Sequence, residues 1–396
     1  MGKVKLGIDR IDEPEVRRLL DGKKIGVVSA ASGISSDYRF PIDILNEKFD
    51  VKAIFAPEHG PRGVLGPGEK VQGGVDRQTG LPVYSLYSEV TSRGGKKEDS
   101  GYSPAGDALS GIDILLFDMQ DVGSRYFTYA SSLFFLMKTC GELGLPVAVT
   151  DRPNPLGGAV EGNILDPAYS SFIGLTSVPV RHGMTIGELA RFYNGEYGLG
   201  CDLTVVPMSG WNAGMYWEET ELPFVRPSPN LPTLESVYVY NGTCLLEGTN
   251  VSVGRGTTCP FTMIGAEYID PFEFSDALNA DGSLAGVRFS PAFFEAYFSK
   301  LTERSLYGVT LHVTDKRALR PVRLGVTLIR TLEKLYPGKF RYEAPKDPAN
   351  RWHIDLAAGG SELRTGGLPA DELCRRWDAQ AEEFARKNKK YFLYER

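Results

Sequence analysis

Glu58, His59, Gly60 and Arg62 crowd into one stretch, Ala56-Pro57-Glu58-His59-Gly60-Pro61-Arg62-Gly63, directly after an apolar run from Val51 to Phe55. The run reads as a buried strand, and Pro57 ends it. A carboxyl, an imidazole and a guanidinium at a strand end can hold and protonate a polar substrate. The competing reading is a polar turn with a capping glutamate. Two further apolar runs end in the same way. Ile112 to Met119 leads into Asp118-Met119-Gln120-Asp121-Val122-Gly123-Ser124-Arg125, and Pro146 to Thr150 leads into Asp151-Arg152-Pro153-Asn154. Parallel strands would set all three clusters on one sheet edge, where ligands of open α/β sheets bind.

Carboxylates dominate the reactive inventory: Glu58, Asp118, Asp121, Asp151, Glu161 and Glu247. Glycoside hydrolysis commonly uses one protonated carboxyl at the leaving oxygen and a second carboxylate as base or nucleophile. A glutamate beside a proline, half-buried at a strand end, can have the raised pKa that an acid needs. Each aspartate has a structural alternative: Asp118 can cap a turn, and Asp151 can pair with Arg152 or Arg125. His182, between Arg181 and Gly183, suits ligand contact or turn packing. No two of the four histidines lie within a helical turn, so there is no paired-histidine zinc motif. A metal held by His59, Asp118 and Asp151 across three strand ends is an alternative site. No nucleophile elbow or Walker loop occurs, and no cysteine sits in a motif with a base. Tyr126, Tyr129, Trp211 and Tyr240 are candidates to stack on a sugar ring.

The elements that must position these residues alternate. Strands are predicted at Lys24–Ala30, 51–55, 81–85, 112–119, 146–150 and 202–208. Helices are predicted at 13–20, with Asp12 as N-cap, and at 41–48, 126–143 and 185–193. The last opens on Thr185-Ile186-Gly187-Glu188, a capping box. This alternation calls for a parallel sheet covered by helices on both faces. The glycine-rich stretch from Gly60 to Gly80 is long for a loop in a compact domain. Arg226-Pro227-Ser228-Pro229-Asn230-Leu231-Pro232-Thr233 reads as an extended boundary segment that could line a cleft. Residues 1–234 and 235–396 are thus expected to form two α/β domains. The second opens with a strand at 236–240 and closes with helices at 321–335 and 369–391.

Composition bounds the function. With 396 residues and 42% hydrophobic, the chain can bury sizeable cores. A formal charge of -6 argues against nucleic acid or an anionic membrane as partner. No apolar run is long enough for a transmembrane helix. The start, Met1-Gly2-Lys3-Val4-Lys5-Leu6-Gly7, lacks the apolar core of a signal peptide. That fits a cytoplasmic protein or a trimmed secreted form. Five scattered cysteines suggest a reducing compartment.

Several segments, in order, resemble one family. They are Ala56-Pro57-Glu58-His59-Gly60-x-Arg62-Gly63, Phe117 to Tyr126, Asp151 to Gly158 with Glu161-Gly162, and Pro179-Val180-Arg181-His182-Gly183-Met184-Thr185. Pro229-Asn230-Leu231-Pro232-Thr233 and Glu247 to Thr257 follow. Together they are similar to the NamZ-type exo-β-N-acetylmuramidases, long catalogued as a domain of unknown function. The resemblance implies a Rossmann-like N-terminal domain, a smaller α/β C-terminal domain and an active-site cleft between them. It implies removal of N-acetylmuramic acid (MurNAc) from the non-reducing end of peptidoglycan fragments such as MurNAc-GlcNAc, with no nucleotide cofactor. Glu58 occupies the position of the family's proposed catalytic glutamate; Asp118, Asp121 or Glu247 would be its partner. Arg62, Arg181 or Arg255 would hold the lactyl carboxylate, since a guanidinium fork matches a carboxylate. His59, Gln120, Asn154 and Asn250 would bind hydroxyls or the acetamido group. Arg125, Asp151, Arg152, His182 and Asn230 complete the expected binding set. A non-catalytic muropeptide receptor and a metal-dependent hydrolase are the alternatives for the same cleft.

Overall fold

The computed structural model describes residues 4–57, 60–63, 73–86, 104 and 106–396. Among these, seven strands form one sheet: β1 (Lys24–Ser29), β2 (Asp50–Ala56), β3 (Gly74–Val75), β4 (Pro82–Ser85), β5 (Ile114–Asp118), β6 (Val147–Thr150) and β9 (Leu203–Val206). Their spatial order is β3-β4-β2-β1-β5-β6-β9. All neighbours are parallel except β3, which runs antiparallel to β4. The near-continuous apolar runs have a simple cause: both faces are covered. Ile25, Val27, Ile54, Ile114, Leu116 and Ala148 enter one apolar cluster. Phe55, Leu115, Phe117, Val147 and Val149 enter the other. Gly26 is what lets Phe55 lie across β1, since a β-carbon there would sit 2.8 Å from the Phe55 ring and 2.5 Å from Leu115. The chain departs from β1 toward β2 and β4 on one side and toward β5, β6 and β9 on the other. The carboxyl ends of β1 and β5 are therefore a topological switch point, where such folds open a crevice.

The covering helices are α1 (Pro14–Leu20), α2 (Pro41–Lys48), α3 (Thr128–Leu143) and α4 (Ile186–Glu196). The capping box is present at α4: Thr185 accepts from the Glu188 amide and Glu188 accepts from the Thr185 amide. Asp12 does not cap α1. Glu13 is the N-cap, without a side-chain bond, and Asp12 pairs with Lys48 and Arg17 instead. A small antiparallel pair, β7 (Glu161–Ile164) and β8 (Pro179–Arg181), lies beside the main sheet in sequence.

The C-terminal part holds a three-stranded antiparallel sheet in the order β10 (Met263–Ala266), β12 (Leu306–Val313), β11 (Val287–Phe294). Pro291 is tolerated in β11 because that strand is an edge. Its helices are α5 (Leu234–Thr243), α6 (Pro271–Ala280), α7 (Pro321–Leu335), α8 (His353–Ala358), α9 (Glu362–Thr365) and α10 (Ala370–Lys387). The strand expected at 236–240 is in fact α5. Thr233 and Ser236 cap each other's backbone amides at 3.2–3.3 Å. Every residue from Ser236 to Thr243 is buried, so no amphipathic period marks the helix. Gly242 and Gly325 let α5 and α7 touch backbone to backbone. The last helix stops at Lys387 and continues only as a 3-10 turn, Lys389–Tyr391.

Candidate active site

The topology sets the carboxyl ends of β2, β1, β5 and β6 side by side on one edge. Glu58 and His59 lie outside the described residues. They are flanked by Pro57 and by Gly60, whose φ of +76° is a left-handed turn.

At the ends of β5 and β6 the polar side chains point inward. Asp118 is fully buried and forms an ion pair with Arg152 at 2.5 Å. It also accepts from Thr150 Oγ1 at 2.5 Å, while Arg152 Nη1 donates to the Ile34 carbonyl at 2.9 Å. Burial pushes the Asp118 carboxyl upward and Arg152 opposes the shift. The pair fastens β5 and β6 to the segment after β1. Asp151 accepts four hydrogen bonds, from the Arg152 and Gly187 amides, Thr185 and Tyr394. It fixes the start of α4 and the C-terminal segment, and burial raises its pKa to about 6. These contacts turn Asp118 and Asp151 to different partners. Among the described residues no group of three potential metal ligands occurs.

The next turn is also buried, although Gln120 Oε1 and Asp121 Oδ1 have no hydrogen-bond partner among the described residues. Gln120 donates to the carbonyls of Asp121 and Pro153, each at 2.7 Å. Asp121 accepts from the Gly123 amide at 2.7 Å. His182 Nδ1 accepts from the Met184 amide at 3.1 Å, which leaves the ring proton on Nε2, 3.3 Å from Asp121 Oδ2. Asn154 bonds the Met184 carbonyl and the Leu156 amide. Arg181 donates to the Leu156 carbonyl and to Tyr216. Arg125 has no carboxylate partner among the described residues. It binds the carbonyls of Asn163, Val178 and Ala357, and burial lowers its pKa to about 10. It ties the N-terminal part to α8.

Two adjoining cavities open at the switch point. One, of about 340 Å³, is lined by Ala31 and Ile34 after β1, Arg62 and Gly63 after β2, and Arg226, Pro227 and Pro229. The second, of about 190 Å³, is lined by Tyr126, Phe127, Tyr240, Glu247, Arg255 and His353. Tyr129 and Ser228 line both, so the two cavities share a wall; together they make up the cleft between the main sheet and the C-terminal part. The proline-rich segment lines it, as its extended sequence suggested. Of the predicted aromatics, Tyr126, Tyr129 and Tyr240 face it. Trp211 does not; it packs on Tyr394 at 4.9 Å on the opposite side of the sheet.

In this cleft Glu247 is gripped side-on by Arg255, with Nε–Oε1 at 2.5 Å and Nη2–Oε2 at 3.1 Å. Their side chains keep 19% and 26% of their surface open. Phe261 lies under the guanidinium at 4.9 Å. The fork raises the Arg255 pKa against the effect of burial. Lys300 Nζ donates to the carbonyls of Glu247 and Thr249 at 2.8 and 2.6 Å and holds that turn. His353 is open to the cleft yet crowded by protein, and desolvation lowers its pKa.

Other expected ligands are occupied. Arg62 donates to Asp43 at 2.7 and 2.9 Å and to Asp76 at 2.9 and 3.1 Å. Asn250 bonds Lys339, Tyr268 and Arg341. Asn230 is buried next to the cleft segment, with its side-chain Nδ2 unpaired among the described residues. His353, Lys300 and Arg226 were not singled out by motif. Only the proline-rich context of Arg226 pointed to the cleft.

The family's sequence profiles for the N-terminal and C-terminal regions of the exo-β-N-acetylmuramidase NamZ match residues 25–235 and 238–394. The chain belongs to the NamZ family. It is 42% identical to the peptidoglycan β-N-acetylmuramidase NamZ of Bacillus subtilis (strain 168), over 99% of this chain and 92% of that one. Two crystal structures of DUF1343 family proteins from Bacteroides fragilis NCTC 9343 share the fold at 32% identity. One superimposes with a TM-score of 0.86 and covers 99% of each chain. The other has a TM-score of 0.77 and covers 100% of this chain and 99% of its own. The mixed α/β architecture, with a mainly parallel N-terminal sheet and a smaller C-terminal sheet, is therefore that of the NamZ family.

Proposed function

We propose that this glycosidase removes MurNAc from the non-reducing end of peptidoglycan fragments such as MurNAc-GlcNAc. The observation that carries the reading is the disposition of carboxylates. Of the four catalytic candidates, Asp118 and Asp121 are buried away from the two cavities, and Glu247 lines the cleft. Glu58, the fourth, follows β2, whose end borders the same cleft through Arg62 and Gly63. Glu58 is the general acid that protonates the glycosidic oxygen. Glu247, oriented by the Arg255 fork, is the second carboxylate, acting on water or on the anomeric carbon. Tyr126, Tyr129 and Tyr240 supply ring faces for the sugar. Arg62 is engaged by Asp43 and Asp76, and Arg181 is buried, with Nη2 donating to the Leu156 carbonyl and Tyr216. Arg226 is exposed, lines the cleft and has no carboxylate partner among the described residues. It is the cation available to the lactyl group.

Incubation with MurNAc-GlcNAc and mass spectrometry of the products tests the reading. Free MurNAc and GlcNAc are expected from the native enzyme and not from Glu58→Gln. Intact disaccharide from the native enzyme, with binding retained, would make the protein a receptor instead.

A further inference from the structure

Two exposed aromatic residues lie outside the residues that line the cleft. Tyr297 and Phe298, just after β11, are 87% and 54% exposed. Scattered exposed aromatics are ordinary, but the backbone of these two is fastened to the stretch that carries Arg255. The Tyr297 amide donates to the Gly256 carbonyl at 2.9 Å, and Gly256 follows Arg255. A β-carbon on Gly256 would lie 2.2 Å from the Phe298 carbonyl oxygen, so the two backbones touch. Two residues further, Lys300 reaches the carbonyls of Glu247 and Thr249. The loop that displays both rings is thus fastened to the turn that carries the cleft carboxylate. Ala296-Tyr297-Phe298-Ser299 carries no charge, which suits the apolar face of a neutral sugar ring.

We infer that Tyr297 and Phe298 form a saccharide-binding platform on the leaving-group side of the cleaved bond. The inference rests on the exo-acting function proposed above. An exo-acting enzyme holds the terminal sugar inside its cavity, so only sugars beyond the scissile bond reach a surface outside it. The platform therefore takes the reducing-side rings of glycan fragments longer than a disaccharide.

The test compares a chromogenic N-acetylmuramide with a peptide-free, MurNAc-terminated tetrasaccharide in native enzyme and in Tyr297→Ala/Phe298→Ala. The ratio of kcat/KM for tetrasaccharide over chromogenic substrate is expected to fall ~10-fold, as the loss of two ring contacts would give. Tyr297→Phe should keep the native ratio, because the ring and not the hydroxyl makes the contact. An unchanged ratio in the double variant overturns the platform. Calorimetry of the tetrasaccharide on Glu58→Gln enzyme, with and without the double substitution, gives a readout independent of turnover. There Kd should rise ~10-fold; equal Kd values overturn the inference. If the native enzyme leaves every substrate intact, the proposed function fails, while the Kd comparison still decides the platform. A change of oligomeric state by sedimentation, with Kd unaltered, would assign the rings to a second copy of the chain and also overturn it.

Discussion

Two arginine–carboxylate pairs sit near the same sheet edge and do different work. Asp118–Arg152 and Glu247–Arg255 both have closest contacts of 2.5 Å. The first is closed to solvent, at 0% and 2% exposure of the two side chains; the second keeps 19% and 26% open. A pair with every direction filled by protein cannot meet a substrate, and its worth is in holding β5, β6 and the segment after β1 together. A pair with an open face can lend its carboxylate to chemistry while the arginine fixes its orientation. Residue type and strand-end position are shared by both; solvent access separates them.

The contrast is broken most severely by removing Asp118. Asp118→Ala would leave the Arg152 guanidinium buried without its counter-charge, a loss of about 3–5 kcal/mol. Urea unfolding should show the destabilisation, and activity should fall only as folded enzyme is lost. A well-folded but inactive Asp118→Ala protein would reverse the assignment. Glu247→Gln is the counterpart. It keeps the shape of the side chain and removes the charge from the cleft, so kcat/KM on MurNAc-GlcNAc should drop roughly 10²–10³-fold. Its unfolding midpoint should move much less than that of Asp118→Ala. Similar stability losses in both variants would erase the distinction.

The same contrast marks what could be read from the sequence. The strands β1, β2, β5 and β6 were legible because both faces of the sheet are buried and each strand is a solid apolar run. The convergence of their ends followed from strand alternation. Which way an end residue points was not legible. Asp118 turns inward because Arg152, 34 residues away, meets it there, and Gln120 is claimed by the Pro153 carbonyl. Such choices are made by tertiary partners that no local pattern announces. His353 enters the cleft from α8, about a hundred residues after Arg255, and no motif links them. Helix α5 reads as a strand because a helix buried on all sides shows no polar face. Glu247 and Arg255 were legible as candidates because eight residues separate them in one glycine-rich stretch.

A smaller effect sharpens the comparison at the other end of the cleft. Arg226 has no carboxylate partner among the described residues, unlike Arg152, Arg255 and Arg62. If it meets the lactyl carboxylate, Arg226→Ala loses one charge-assisted contact of about 1.5–3 kcal/mol. KM for N-acetylmuramides should rise ~10-fold or more while kcat changes little. The affinity for an N-acetylglucosaminide, which lacks the lactyl group, should be unaffected. An equal loss on both would mean that Arg226 shapes the wall and does not read the lactyl group.

The weakest effect is electrostatic and tests whether the closed network behaves as a buried one. Asp151 is surrounded by Thr185, Tyr394, the Arg152 and Gly187 amides and the nearby Glu188. Burial, the largest influence, raises its pKa to about 6 from an ordinary 3.8. The folded state therefore binds this proton more tightly than the unfolded chain. Below about pH 4 the group is protonated in both states and its contribution to stability is complete. Between about pH 4 and 6 the unfolded chain releases the proton while the folded protein keeps it, so stability falls as pH rises. Above pH 6 both states are ionised and the contribution is gone. Asp151→Asn cannot titrate, and its unfolding free energy should lack this component. Urea unfolding of both proteins from pH 4 to 7 isolates it, because Glu188 and the other groups are common to the two. The native protein's advantage over the variant should shrink across that window. Parallel curves would mean that the hydrogen bonds to Asp151 outweigh its burial, and that the closed network holds an ordinary, fully ionised aspartate.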